Sequence, residues 1–275
     1  MGTENENVVK GKTLKTVYYS VAEWADAAKR QATNDRHSGD SWSGGLTLNE
    51  AADMAVNGWE AELQEALNIA ESAVDMVEKE HEIDSFMPVW DYQGCEVDVA
   101  RYLSGEPENM IDYPVTQMPK QGRVITLCSS ISYSAAVNAN VIKRRGQVLV
   151  ALALLLSRMG YNSELWVSFT SVQGDKTVEI KVLVKGANDS LDASKVMFAY
   201  AHPSALRVLM FGCQDSHKRY GFNFGFMRGS PAPPIKDLPE GTIYMPELRS
   251  SSNVPDAHVL LKSHLKELGL LVSEG

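Results

Sequence analysis

Apolar positions along the chain follow two rhythms, and the change between them divides the sequence. In the first half the period is helical. Ser20-Val21-Ala22-Glu23 is a capping box, and Val21, Trp24, Ala25 and Ala28 follow at helical spacing. A second box, Thr47-Leu48-Asn49-Glu50, predicts a helix that Gly58 ends. Over Trp59 to Lys79 an apolar stripe (Leu63, Ala66, Leu67, Ala70, Ala73, Val74, Val77) faces away from a row of acids. Thr13 to Tyr19 reads as a strand, and the polar stretch Thr33 to Gly45 as a loop. Met87 to Tyr92 reads as a strand, and Val97 to Gly105 as a short helix closed by its glycine. The proline-rich residues 105–122 read as a connector.

The second half alternates strand and helix, which argues for a sheet with helices on its faces. Arg123 to Cys128 has the length of a buried strand. Asn138 to Met159 predicts a long helix stopped by Gly160, apolar almost all round from Val148 to Leu156 and therefore buried. Ser163–Val172 and Val178–Val184 alternate with period two around Gln173-Gly174-Asp175-Lys176, which predicts a hairpin. His202-Pro203 opens a further helix, Thr242–Met245 is a strand, and Asp256–Leu268 is a terminal helix ended by Gly269. The expected fold is α/β, with a Rossmann-like, mostly parallel sheet in residues 116–275. An acidic, mostly helical region forms residues 1–115.

Charge sharpens this division. The chain of 275 residues has a formal net charge of −9, but residues 1–122 carry −14 and residues 123–275 carry +5. Complementary halves predict docking within the chain or between copies, weakened by salt. Three scattered cysteines (Cys95, Cys128, Cys213) fit neither a disulfide framework nor a zinc cage. The longest apolar run, Val148–Leu156, is too short for a membrane span, and the first residues have no apolar core for a signal peptide. The expected location is cytoplasmic.

At the end of the first strand of the second half stands Cys128-Ser129-Ser130-Ile131-Ser132. This resembles the strand-end Asp-x-Ser-x-Ser of von Willebrand factor A domains, with Cys128 in place of the Asp. Strand, motif, long helix and hairpin follow in the order that starts such a domain, so the resemblance covers about residues 120–270. It implies a cation site at the carboxyl edge of the sheet, with Ser130 and Ser132 as ligands. Asp215 would join them if Leu206–Phe211 were a strand. A thiol is a poor Mg²⁺ ligand, so the site is degenerate: no cofactor is expected, and Mg²⁺ would be held weakly. The resemblance further implies a protein partner, for which an ATPase is an analogy from the family. The texture of Trp42-Ser43-Gly44-Gly45 with the Glu50–Trp59 helix, of Arg144-Arg145-Gly146, of Tyr200 to Arg207 and of Val254 to Leu270 resembles phage- and prophage-encoded proteins of unknown function, implying a phage origin.

A second class competes. Lys143, Arg144 and Arg145, together with Lys218, Arg219, Tyr220, Phe222 and Arg228, interleave basic and aromatic side chains. Such a set can stack single-stranded bases and neutralise phosphates. The same alternation of Tyr220, Phe222, Phe224 and Phe226 also fits a strand lining a core. No phosphate loop, dinucleotide fingerprint or nucleophile elbow is present. The expectation is a non-catalytic interaction or assembly protein, with single-stranded nucleic-acid binding as the alternative.

Overall fold

The computed structural model describes residues 8–10, 12–31, 39–85, 89–93, 96–112, 124–224, 228–233, 238, 242–251 and 257–267. Strands β1 (Val8–Lys10) and β2 (Thr13–Tyr18) precede helix α1 (Val21–Gln31). Helices α2 (Leu48–Asn57) and α3 (Leu63–Ser85) follow. The next segment holds β3 (Val89–Asp91), β4 (Glu96–Val97), α4 (Val99–Leu103) and β5 (Met110–Asp112). Then come β6 (Val124–Ser130), α5 (Ala139–Arg158), β7 (Asn162–Gln173), β8 (Lys176–Lys185) and α6 (Ala193–Ala201). A π-helical turn (Ala205–Met210) runs into α7 (Phe211–Ser216), before β9 (Ser230–Pro231), β10 (Ile243–Met245) and α8 (Ala257–Glu267).

The central sheet has the order β1-β2-β8-β7-β6-β10, with β9 on the far end of β7. The pairs β2–β8, β6–β7 and β6–β10 are parallel, and the β7–β8 hairpin and β1–β2 are antiparallel. The fold is therefore mixed α/β. The hairpin turns where its alternation stops, with Gly174 at φ 61 in the left-handed region. Strand β2 was legible as a strand, but it adds to the free edge of β8, so the sheet draws strands from both sides of residue 115.

Period-two alternation gives the sheet one apolar face, with Leu127, Val167, Phe169, Ile180, Val182, Leu14 and Tyr18 buried. The ring of Phe169 meets Phe211 of α7 at 6.3 Å, and Trp24 of α1 meets Phe198 of α6 at 6.5 Å. The first contact sets α7 against that face, and the second joins α1 to α6. Helix α5 is buried on nearly every side from Val148 to Leu156, each large aliphatic group contributing roughly 1.5–3 kcal/mol. It packs on α6 through Gly146, where a Cβ would come within 2.4 Å of the Ala201 Cα. On its other side, Lys143 reaches Glu62 at 3.0 Å and Arg158 reaches Glu71 at 3.8 Å. The acidic first half thus meets basic residues of the second within one chain.

The helix expected after His202-Pro203 forms and continues without a break into α7, so Leu206–Phe211 is helical and the condition under which Asp215 would join the serines is not met. Two other readings need correction. Residues 217–224 do not form a strand: His217–Tyr220 is a 3₁₀ turn ended by Gly221 at φ 81, after which Phe222 and Phe224 turn into the core. Part of the expected connector, Met110–Asp112, is a strand that pairs β3 and β4 in a second small sheet, β3-β5-β4. Phe226, Cys95 and the expected stop at Gly269 lie outside the described residues.

Candidate functional site

Strand β6 delivers Cys128–Ser132 to the carboxyl edge of the sheet, and both serines are turned inward. The Ser130 hydroxyl accepts the Ser132 backbone N–H at 3.2 Å, and the Ser132 hydroxyl accepts the Thr170 N–H at 2.7 Å. Both residues are buried. Their oxygens therefore stabilise the turn, the local role in which serine excels. Cys128 is buried beside them, and burial pushes its thiol up to about 11. Next to this turn, the loop after β10 extends the β6–β10 pairing past the strand ends. Leu248 N–H donates to the Ser132 carbonyl at 3.2 Å, and Ser134 N–H to the Leu248 carbonyl at 2.8 Å.

Asp215, the third candidate ligand, is held by cations. Arg228 reaches its carboxylate at 2.5 and 3.3 Å, and Lys218 at 2.8 Å. Arg228 adopts φ 55, a left-handed conformation uncommon for a side chain of this size. Its carbonyl accepts Ser171 Oγ at 2.5 Å and Gln214 Nε2 at 3.1 Å, which holds the strained turn in place. The hydroxyls of Ser130 and Ser132 thus hold backbone N–H groups, and Asp215 is neutralised by two cations. Among the described residues no cluster of three His, Cys, Asp or Glu side chains could hold a metal ion.

Beside the turn lies a cavity of about 540 Å³. Trp42, Phe169, Phe211 and Pro231 give it apolar walls, and Ser132, Tyr133 and Arg228 add polar groups. Trp42 comes from the first half and is fixed from two sides. Its indole N–H donates to the Ala135 carbonyl at 2.9 Å, and its ring lies 4.1 Å from the Arg207 guanidinium.

The basic–aromatic candidates are dispersed by the fold. Phe222 is buried, Arg228 is paired with Asp215, and Arg145 is 3% exposed on the inner side of α5. Lys143 is bound to Glu62, while Arg144 is exposed. Arg219 and Tyr220 remain at the surface, stacked on each other at 4.8 Å. Arg145 had a readable signal: it falls at helical spacing between Val141/Ile142 and Val148/Leu149, on the buried stripe. Arg207 likewise lies within an unbroken apolar run. Tyr133 had no such signal.

Nucleophile chemistry finds little purchase in the described residues. Cys213 is buried with its thiol pushed up to about 12. The Thr16 hydroxyl lies 3.0 Å from His217 Nε2, but both side chains are sealed in the core. Burial lowers both His217 and His202 to about 4.

Elsewhere, the small sheet and α4 leave apolar groups in solvent. Tyr92, Val99, Tyr102 and Leu103 are 63–77% exposed, with Trp90 and Val97 half-exposed beside them. Asp98 caps α4 through the N–H groups of Ala100 and Arg101 and accepts the Trp90 indole at 3.0 Å. Arg101 lies over the Trp90 ring at 4.3 Å. Sequence periodicity found the strand and the helix here, but not their exposure.

No helix among the described residues is long and apolar enough to cross a membrane. Neither a curated protein nor a solved structure matches the chain. A family model described as Domain of unknown function (DUF7192) matches residues 3–272. With nearly its whole length matched, the chain belongs to the DUF7192 family.

Proposed function

We propose that this chain is a non-catalytic protein-recognition and assembly module, built on a von Willebrand A-like sheet whose cation site is degenerate. The observation that carries the reading is the exposed apolar cluster of residues 89–112. Tyr92, Val97, Val99, Tyr102 and Leu103 lie together in a segment of three short strands and one helical turn. Several large apolar side chains exposed within one short segment are characteristic of protein contact sites. Burying each of these side chains in a partner would gain roughly 1.5–3 kcal/mol before the costs of association. Support for the architecture comes from the order β6, α5, β7, β8, with β10 on the other side of β6, and from the serine turn at the carboxyl edge of β6. Support for a degenerate site comes from Ser130 and Ser132, whose hydroxyls hold backbone N–H groups, and from Asp215, which two cations neutralise.

The test is partner capture from the native host by the wild type and by a Tyr102→Glu/Leu103→Glu variant, followed by reconstitution with the purified partner. The variant should fold normally and lose that partner by at least tenfold in affinity. Equal capture and equal affinity for both proteins would refute the proposed surface.

A further inference from the structure

Among the described residues, two buried arginines have no carboxylate at ion-pair distance. Arg207 is 2% exposed and Arg145 is 3% exposed. Arg207 donates to the carbonyls of Trp42 at 2.5 Å and Val137 at 2.7 Å. Arg145 donates through Nη2 to the carbonyl of Pro246. Among the described residues neither has an acid within ion-pair distance. The carboxylate that bears on Arg145, Glu247, is itself held by Arg249 at 3.2 Å. Arg228 shows the ordinary solution: a partly buried guanidinium with its own Asp215.

The donors left over are grouped around Tyr133. Arg145 Nη1 and Arg207 Nε are buried with no acceptor, and so is the Tyr133 hydroxyl. The Tyr133 ring lies 5.8 Å from the Arg145 guanidinium, and both arginines act electrostatically on its hydroxyl. Val137, whose carbonyl Arg207 holds, directly precedes the capped N-terminus of α5, the positive end of a 20-residue helix. A buried guanidinium without a counter-charge is strongly unfavourable, and an unpaired buried donor adds to that cost. Two such cations and an orphan hydroxyl in one place call for an anion. The cavity next door is lined by Tyr133 and by Trp42, whose carbonyl and ring hold Arg207, while the two arginines stand behind its wall and Asp40 lies on its rim.

We propose that Arg145, Arg207 and Tyr133 form an anion site. Its ligand is a small organic oxyanion, phosphate or carboxylate, whose apolar body lies in the cavity beside Trp42, Phe169 and Phe211. The oxyanion accepts from Arg145 Nη1, Arg207 Nε and the Tyr133 hydroxyl, and supplies the missing counter-charge. The carbonyls of Trp42, Val137 and Pro246 hold the two guanidiniums in place in the meantime.

Titration calorimetry and thermal shift with inorganic phosphate, phenyl phosphate and benzoate, at constant ionic strength, test this and separate the two head groups. Phenyl phosphate or benzoate should bind saturably, at least tenfold more tightly than inorganic phosphate. Tyr133→Phe, which removes one hydroxyl and no packing, should weaken binding at least tenfold and leave the ligand-free melting temperature unchanged. Arg207→Met should abolish binding; if it does not fold, Arg145→Met replaces it. Absence of saturable binding by all three probes at millimolar concentration overturns the site, as does binding that Tyr133→Phe and Arg145→Met leave unchanged. A phenyl ring that adds no affinity overturns the placement of the ligand body in the cavity. The Tyr102→Glu/Leu103→Glu variant should bind these anions like the wild type, so this site and the apolar docking surface stand or fall separately.

Discussion

The central sheet with its helices and the segment 89–112 are both rich in large apolar residues, yet they treat them in opposite ways. In the sheet region twelve of the twenty residues of α5 are buried, and β7 carries an unbroken buried run from Val167 to Ser171. In the segment 89–112 no described side chain is buried, although Trp90, Tyr92, Val97, Val99, Tyr102 and Leu103 all belong to it. The difference is a second layer. A sheet hides its apolar face only when helices or another sheet cover it. The strands β3, β4 and β5 have two or three residues each, too short to enclose a core of their own. Apolar composition sets how much a segment gains from being covered; topology decides whether the same chain covers it.

That contrast predicts that acid will attack the sheet region. His202 stacks on Phe198 at 5.4 Å and meets the Trp59 ring edge-on at 4.6 Å, while His217 bonds Thr16 in the core. Both are lowered to about 4, chiefly by burial, against 6.5 in the unfolded chain. Between those values the unfolded state binds more protons, so stability falls as pH drops from 6.5 towards 4. Each histidine accounts for up to about 3 kcal/mol, since one pKa unit is worth about 1.4 kcal/mol. Chemical denaturation across this pH range should show the decline, and His202→Gln should remove about half of it, His217 accounting for the rest. Stability that is level across the window would show that these rings are not sealed.

Next in size is the contact between α5 and α6. At Gly146 a Cβ would lie 2.4 Å from the Ala201 Cα and 2.6 Å from the Tyr200 carbonyl, backbone atoms that can move only with their helix. Gly146→Ala should cost about 1–3 kcal/mol despite the better helix propensity of alanine, as overpacking does. A melting temperature equal to or above that of the wild type would mean that the helices pack less closely here. A smaller loss, about 1 kcal/mol, is expected for Asn138→Ala, because the Asn138 side chain caps α5 by accepting the Asn140 N–H at 2.8 Å. Equilibrium denaturation of both variants would rank them.

Local signals survived into the fold. The hairpin of β7 and β8, the capping box at Thr47 and the stops at Gly58 and Gly160 were all legible, because each depends on residues close in sequence. Pairings between distant residues were not. Thr13–Tyr18 reads as a strand, but nothing local says that it lies parallel to β8, where each of its partners is 164 positions away (Thr13 with Thr177, Tyr18 with Val182). The alternation of Tyr220, Phe222 and Phe224 looked like a strand, yet a 3₁₀ turn followed by an αL glycine buries Phe222 and Phe224 without one. At the candidate site, charge misled: Lys143-Arg144-Arg145 reads as one basic patch. The helix instead turns Arg144 outward, gives Lys143 to Glu62 and buries Arg145. Hydrophobic spacing, not charge, carried the information for Arg145.

The smallest effect expected on stability is the one that sharpens the comparison most. Leu103 is 77% exposed and Tyr102 64%, so Tyr102→Glu/Leu103→Glu removes almost no buried area. Surface changes of this kind fall within about 0.5 kcal/mol. Melting temperature and denaturation midpoint should therefore match the wild type, in contrast to Gly146→Ala. The same variant should be more soluble at high concentration, because it replaces two exposed apolar groups with charges. A marked loss of stability would mean that the fold itself covers these side chains, and the two regions would no longer be opposites. Unchanged stability with lost association would identify the apolar surface of residues 89–112 as the part of this molecule completed by another protein.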